Sequence, residues 1–130
     1  MNKLNVVTLS INSNKYVLVN ESGECISSLE IDYEVTSNYR RERCGFPFNI
    51  KIYYLCNFCT KRNLRGRGYG RELLNLVKEE TKGQFIYLKV GAYDGNTMTD
   101  EDLVNFYQSL GFEDSRIFDD GYKMMVLDNR

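Results

Sequence analysis

The stretch Arg65-Gly66-Arg67-Gly68-Tyr69-Gly70 joins a long, mostly apolar run to a segment with helical spacing in this 130-residue chain. Its glycines let the backbone turn tightly and approach an anion closely. Its N–H groups would stand at a helix N-terminus, where the helix dipole favours negative charge. No Gly-Lys-Ser/Thr follows, and the third glycine comes one position too early for a dinucleotide fingerprint. The stretch therefore predicts a strand, an anion-binding loop and a helix, although the glycines alone also fit a plain turn.

The residues on either side of this stretch predict the strand and the helix. Residues 50–60 have the length and apolar character of a buried strand. Residues 68–82 carry apolar side chains on one side at helical spacing, and Gly83 follows as a C-terminal cap. The side chains on that face are Tyr69, Leu73, Leu74, Leu76 and Val77.

A second helix is predicted after Thr99, which supplies an N-cap in front of three acidic residues. Apolar side chains then recur at positions i, i+3, i+4 and i+7 before Gly111 ends the helix. These side chains are Leu103, Phe106, Tyr107 and Leu110.

The other segments predict strands around these two helices. Residues 4–11, 15–20 and 25–33 form an antiparallel meander, 34–49 a loop, 85–90 a short strand and 117–127 a closing hairpin. The predicted order is β-β-β-β-α-β-α-β-β. We expect one α/β domain over residues 1–130, with a mixed, mostly antiparallel central sheet flanked by helices.

Composition excludes several classes of protein. With 42% apolar and 27% charged residues and one proline, the chain is typical of a globular domain. It has no apolar run long enough for a membrane helix and no signal-peptide pattern, so we expect a cytoplasmic protein. The absence of histidine excludes Ser-His-Asp and Cys-His catalysis and His-Glu-x-x-His zinc sites. No metal is expected.

Positive charge is concentrated in residues 40–71. This window holds nine Lys and Arg residues against the single acid Glu42, whereas the chain as a whole has a net charge of −1. The imbalance favours a pocket for a compact polyanion over non-specific binding of long nucleic acid. Nucleic-acid binding through the cluster at 40–43 and the tyrosines of the long strand is the weaker alternative.

Cys56 and Cys59 form a C-x-x-C pattern within the predicted long strand. Strand residues three apart point to opposite faces, so the two thiols are not placed to act together. We expect buried, reduced cysteines rather than a redox or zinc site.

Two motifs together resemble the GNAT family of N-acetyltransferases over residues 50–130. Arg65 to Gly70 match the family's Gln/Arg-x-x-Gly-x-Gly/Ala pyrophosphate loop. Leu103 to Phe112 are similar to its second signature, in which an aromatic-Tyr pair precedes Gly-Phe. The motifs lie in the family order with a predicted strand between them.

The resemblance implies that acetyl-CoA lies in a cleft where the fourth and fifth strands diverge. Pantetheine would pair with the backbone near Cys59 and Thr60, and the pyrophosphate would lie on the amides that follow Arg65. Charge for the phosphates could come from Lys61, Arg62, Arg67 and Arg71. The implied cofactor-binding residues are Cys59, Thr60, Arg65, Gly66, Arg67, Gly68, Tyr69, Gly70 and Arg71.

Tyr107 matches the family tyrosine that protonates the departing CoA thiolate. A phenol with a reference pKa of about 10 is protonated at neutral pH and can donate to a thiolate of similar basicity. The expected activity is therefore direct transfer of acetyl from acetyl-CoA to a primary amine. Tyr107 also fits a simple core aromatic on the helix face, and Phe106 is expected to serve packing.

The general base is not provided by the resemblance, because residues 50–60 lack the carboxylate that many relatives place there. Glu30, Asp32 and Glu34 alternate along the third strand and share one face, where they could hold a cationic amine or relay its proton. A solvent-facing stripe is the alternative. Asp100 stands where relatives often carry a cofactor-contacting asparagine, but capping of the second helix also explains it.

The N-terminal third departs from the family pattern, because residues 12–14 leave room only for a turn between the first two strands. The usual helix pair is thus reduced or absent. The acceptor site is either open, which would suit a protein or peptide amine, or completed by a second subunit of a homodimer, which would suit a small amine. The long loop with Asp94, Asn96 and Met98 could shape substrate choice. A catalytically inactive acyl-CoA-binding module is the alternative function.

Overall fold

The computed structural model describes residues 1–34, 52–91 and 98–130. Seven strands form one sheet in the order β1-β2-β3-β4-β5-β7-β6, and only β4 and β5 pair in parallel. The predicted mixed, mostly antiparallel α/β architecture is confirmed. Its elements are β1 (Lys3–Ser10), β2 (Ser13–Val19), β3 (Cys25–Glu34), β4 (Ile52–Thr60), α1 (Tyr69–Glu80), β5 (Phe85–Lys89), α2 (Asp100–Ser109), β6 (Glu113–Asp119) and β7 (Tyr122–Asp128), with a 3₁₀ turn at Arg62–Leu64.

The first two strands are joined by residues 11 and 12 alone, so no helix pair lies between β1 and β2, as predicted. Other boundaries differ slightly from the predictions. α1 ends at Glu80 because Thr81 leaves the helical conformation, and its hydroxyl donates to the Val77 carbonyl at 2.7 Å. β6 begins at Glu113, four residues before the predicted hairpin. The loop predicted at 34–49 lies almost entirely outside the described residues, and a single domain over 1–130 stays a prediction.

Both helices pack on one face of the sheet and form the larger core. α1 buries Leu73, Leu74 and Val77, and α2 buries Leu103 and Tyr107. Each of these aliphatic side chains contributes about 1.5–3 kcal/mol relative to exposure. A smaller cluster of buried side chains occupies the other face of the sheet. Among the described residues, no helix is long and apolar enough to cross a membrane.

The β4–β5 pair diverges after a short parallel ladder. Residues 52–54 of β4 pair with residues 85–87 of β5, and the rest of the two strands is unpaired with one another. On its other side, β4 contains a bulge, because the register with β3 changes from Glu30–Cys56 to Ser28–Cys59. The extra residue falls at Asn57, whose φ of 51° is left-handed. A bulge bends and twists its strand, which accounts for the opening between β4 and β5.

Candidate functional site

A cleft of about 310 Å³ lies between the C-terminal end of β4, the start of α1 and the inner face of α2. Nine of the ten residues predicted for the site line it, and only the side chain of Arg67 does not. The lining therefore brings the two sequence motifs, about 35 residues apart, onto one cavity. The predicted residues that line the cleft are Cys59, Thr60, Arg65, Gly66, Gly68, Tyr69, Gly70, Arg71 and Tyr107.

Backbone conformation explains two of the three glycines in the loop. Gly66 has a φ of 78° and Gly68 a φ of 83°, and no atom lies within 4 Å of a Cβ built at either position. The left-handed conformation destabilises a non-glycine residue by about 1–2 kcal/mol. Glycine is therefore favoured at both positions because the backbone conformation is left-handed, and not because a side chain would clash with a neighbouring atom.

Gly70 serves close packing at the start of α1. A Cβ built there would lie 3.4 Å from Phe58 Cζ and 3.5 Å from Thr60 Oγ1. The first turn of α1 thus rests against the end of β4. Because Gly68 is the N-cap and no side chain caps this helix, the first-turn N–H groups remain available to an anion.

Ser27 is a buried polar residue that sequence reasoning missed. Its hydroxyl donates to the Cys59 carbonyl at 2.9 Å and lies 2.9 Å from Thr60 Oγ1. Arg65 Nε donates to the Thr60 carbonyl at 3.0 Å, which ties the loop to the same strand end. The sequence shows Ser27 only as a hydroxyl-bearing residue near the start of a predicted strand. The atoms to which its hydroxyl bonds are set by the register between β3 and β4.

Tyr107 is only 3% exposed and lies at the bottom of the cleft. Its ring contacts Phe106, Phe112 and Phe58, with centroids 5.4, 5.6 and 6.4 Å away. Tyr107 also lines a narrow gap between β4 and β5, together with Asn57 and other residues from both strands. It is thus both a core aromatic and the side chain that faces the opening between the strands. Phe106 packs as predicted, since it contacts Phe58 and also lies under the Arg71 guanidinium, 5.4 Å from its ring centroid.

The cations around the loop are not equivalent. Arg65 and Arg71 line the cleft, whereas Arg62 and Arg67 are exposed and do not. Lys61 pairs with Glu24 at 2.6 Å. Of the four cations predicted to supply charge for phosphates, Arg71 alone therefore lines the cleft. The remaining cations of the window, Arg40, Arg41, Arg43 and Lys51, lie outside the described residues.

Two acids of the predicted row line an open groove of about 800 Å³, together with Ser13 and Tyr54. Glu30 accepts a hydrogen bond from Asn57 Nδ2 at 2.5 Å, and Asp32 accepts one from Ser13 Oγ at 2.7 Å. Asn57 is the bulge residue of β4 and lines the gap between β4 and β5, so one hydrogen bond links Glu30 of the acidic groove to a residue of that gap. The side chain of Glu34 lies outside the described part, as do Asp94 and Asn96.

The two cysteines of the C-x-x-C pattern have different environments. Cys56 is buried, and its pKa is raised to about 12 by desolvation and by the negative charges of Asp32 and Glu30. Cys59 is exposed, so the prediction that both are buried is wrong for Cys59. Because the bulge adds a residue between them, Cys56 pairs with Glu30 and Cys59 with Ser28, so both thiols lie on the same face of the sheet and the prediction of opposite faces is wrong. A thiol with a pKa near 12 stays protonated at neutral pH, so Cys56 is unsuited to carry an acetyl group.

Asp100 is exposed and does not line the cleft. Its carboxylate lies near Gly91, 2.9 Å from a Cβ built on that glycine. The N-cap of α2 is Thr99, whose hydroxyl accepts from Asp102 N–H at 3.1 Å, as predicted. Met98, by contrast, lines the cleft. Within residues 1–34, 52–91 and 98–130, no three Cys, Asp or Glu side chains group so as to hold a metal.

The sheet order, the diverging β4–β5 pair and the glycine loop together define an acetyltransferase domain. A family model of the acetyltransferase (GNAT) domain matches residues 13–114. The chain therefore belongs to the GNAT family.

Solved structures show the same fold at low sequence identity. A histone acetyltransferase HPA2-related protein of Corynebacterium glutamicum is 19% identical with a TM-score of 0.64, over 92% of this chain and 66% of that one. A spermidine N-acetyltransferase chimera of Vibrio cholerae SpeG and hSSAT is 15% identical with a TM-score of 0.63, over 92% and 69%. A putative acyl-CoA N-acyltransferase of Klebsiella pneumoniae is 10% identical with a TM-score of 0.62, over 100% and 99%. The chain thus spans slightly less than two thirds of the first of these proteins. No curated protein matches it significantly.

Proposed function

We propose that this chain transfers the acetyl group of acetyl-CoA directly to a primary amine. The observation that carries the proposal is the convergence of both sequence motifs on one cleft, in a chain that belongs to an acetyltransferase family. The nucleic-acid alternative rests on the cluster at 40–43, which lies outside the described residues, and Lys61 is paired with Glu24.

The loop is suited to the diphosphate of CoA. Left-handed Gly66 and Gly68 lead into the uncapped N-terminus of α1, and the helix dipole there favours an anion. Arg65 and Arg71 add positive charge at the same cleft. Cys59 and Thr60 at the end of β4 would pair with pantetheine.

Tyr107 is proposed as the proton donor on the leaving side of the reaction. As the amine nitrogen bonds to the acetyl carbonyl carbon, the carbon–sulfur bond breaks and the sulfur takes the electron pair. The phenol of Tyr107 would then protonate the thiolate. Its position at both the cleft and the gap between β4 and β5 supports this role.

The acceptor amine is proposed to approach from the acidic groove on the other face. A free amine is mostly protonated at neutral pH, so it is bound as a cation and must lose a proton before it attacks. Glu30 and Asp32 line the groove, and Glu30 is hydrogen-bonded to the bulge residue beside the gap. This placement supports a cationic acceptor that enters between the two carboxylates.

Changing Glu30 to glutamine is expected to raise the KM for the amine about 10-fold, because one charge-assisted contact is lost in a groove open to water. The kcat and the KM for acetyl-CoA should change little. Steady-state kinetics with each substrate varied in turn measure both effects. Glu79→Gln is the matched control, since Glu79 is exposed on α1 and pairs with the exposed Lys82. If the KM for the amine is unchanged in Glu30→Gln, the acidic row is only a solvent-facing stripe and does not bind the acceptor.

The cofactor part of the proposal is tested first by calorimetry with acetyl-CoA. A micromolar Kd and an unfolding midpoint that rises with acetyl-CoA concentration are expected. An amine panel follows, with a polyamine and a lysine peptide, because the structural relatives include proteins named for spermidine and for histones. Absence of acetyl-CoA binding would contradict the proposal. Binding without transfer to any amine would favour the inactive acyl-CoA-binding module.

A further inference from the structure

β1 is an edge strand that exposes apolar side chains on both faces of the sheet. Val6, Val7 and Leu9 are each close to half exposed, and Ile11 in the following turn is 97% exposed. Within the described ranges, β1 ends the strand order and pairs only with β2. Its outer backbone groups therefore form a row that another strand could pair with.

Exposed edges are usually protected by charge, proline, a bulge or short length. β1 is eight residues long and contains no proline, and Lys3 at its start is its only charged residue. Its register with β2 is regular from Lys3 to Thr8 and shifts only beyond Thr8. The first six residues of β1 thus present a regular and almost uncharged edge.

The opposite edge strand, β6, is protected in several of these ways. It carries Glu113, Asp114 and Arg116, and Arg116 has a left-handed φ of 61°. Its register with β7 breaks between Asp114 and Phe118. Of the two edges in the described sheet, β1 is the one suited to strand pairing.

β1 is also held in place before any partner binds. It is paired to β2 from Lys3 to Thr8 and again at Ser10, and Asn2 Nδ2 donates to the Glu72 carboxylate of α1 at 3.1 and 3.2 Å. Little conformational entropy would therefore be lost when a second strand adds to it.

We propose that β1 pairs antiparallel with β1 of a second copy, about a two-fold axis through Val6, so that one sheet continues across both copies. In this register Val6 faces Val6 of the other copy, Leu4 faces Thr8, and Asn5 faces Val7. The two Lys3 side chains lie at opposite ends of the ladder, each across from Leu9, so no like charges meet. Apolar cross-strand pairs of this kind stabilise a ladder, and a closed two-fold interface is the commonest form of self-association.

A second copy fits this edge better than a charged partner. The strand matches itself in hydrogen-bonding pattern and in apolar character, and it has almost no charge with which to select an acidic or basic segment. Leu9 and Ser10 also line the acidic groove, so the second copy would stand beside that groove. The pairing itself does not depend on the proposed acetyl transfer.

Sedimentation equilibrium tests the pairing. The wild-type protein is expected to have twice the chain mass of 15.2 kDa. Val6→Lys places two ammonium groups opposite each other across the axis and should raise the dimer dissociation constant at least about 10-fold. Val7→Lys should weaken the dimer as well, and thermal unfolding shows which variants remain folded.

Phe118→Lys is the matched control, because Phe118 is a 55% exposed apolar residue on the other edge strand. It should leave the dimer unchanged. A wild-type monomer at every concentration would overturn the proposal. So would a dimer that survives lysine at both Val6 and Val7 in folded protein, or one that Phe118→Lys dissociates equally.

Discussion

Replacing Tyr107 with phenylalanine is expected to lower kcat for acetyl transfer by about 10²–10⁴, the usual contribution of a positioned proton donor. The ring stays in place, because its contacts with Phe106 and Phe112 do not involve the hydroxyl. Without the phenol, the thiolate must leave unprotonated or take its proton from water. Acetyl-CoA affinity should therefore be retained while turnover is lost. Steady-state kinetics and calorimetry on the same preparation separate the two quantities.

Tyr122→Phe is the matched control for Tyr107→Phe. Tyr122 is 42% exposed at the start of β7 and does not line the cleft, so its hydroxyl should not affect kcat. Wild-type turnover in Tyr107→Phe would leave Tyr107 as a packing residue.

Replacing Gly68 with valine is expected to raise the Kd for acetyl-CoA at least about 30-fold, which corresponds to about 2 kcal/mol. Gly68 has a φ of 83° and caps α1, and a β-branched residue strongly disfavours that conformation. If the loop relaxes to an ordinary φ, the N–H groups that precede and begin α1 no longer point at one site. Hydrogen bonds to an anionic group contribute about 1.5–3 kcal/mol each, so the loss of one accounts for the effect. Calorimetry measures it directly.

Gly83→Val separates loss of binding from general strain. Gly83 has a φ of 91° with no atom within 4 Å of a built Cβ, as at Gly68, but it lies past the other end of α1. The two glycines are about 20 Å apart along the helix direction. Both variants should lose similar thermal stability, whereas only Gly68→Val should lose acetyl-CoA affinity. Equal affinities in the two variants would contradict the role of the loop.

Most of the fold was predictable because its signals are local. The helical spacing of Leu73, Leu74 and Val77 placed α1, and Thr99 marked the start of α2, since periodicity and capping depend on neighbours in sequence. The lack of a helix pair between β1 and β2 followed from the small number of residues between the two predicted strands. Membership of the family followed from two motifs that stay recognisable because a left-handed glycine loop tolerates few substitutes.

The candidate site was predictable as a set of residues but not as an arrangement. The bulge at Asn57 comes from the pairing of β4 with β3. Asparagine adopts a left-handed φ more readily than most residues, but nothing local requires that conformation within a strand. That bulge puts Cys56 and Cys59 on the same face of the sheet, whereas an unbroken strand would have put them on opposite faces. The ion-pair partner of Lys61 could likewise not be predicted, because Glu24 lies 37 residues earlier in the chain.

The sequence by itself thus determined the order of strands and helices, the position of the glycine loop and the identity of the acetyltransferase family, since each depends on short-range patterns of residue type. Only the tertiary structure decided where β4 and β5 part, which of Arg65, Arg67 and Arg71 line the cleft, and that β1 is left as an open edge. These features depend on strand register and on which elements become neighbours. Register is set by contacts between distant segments, which no local pattern encodes.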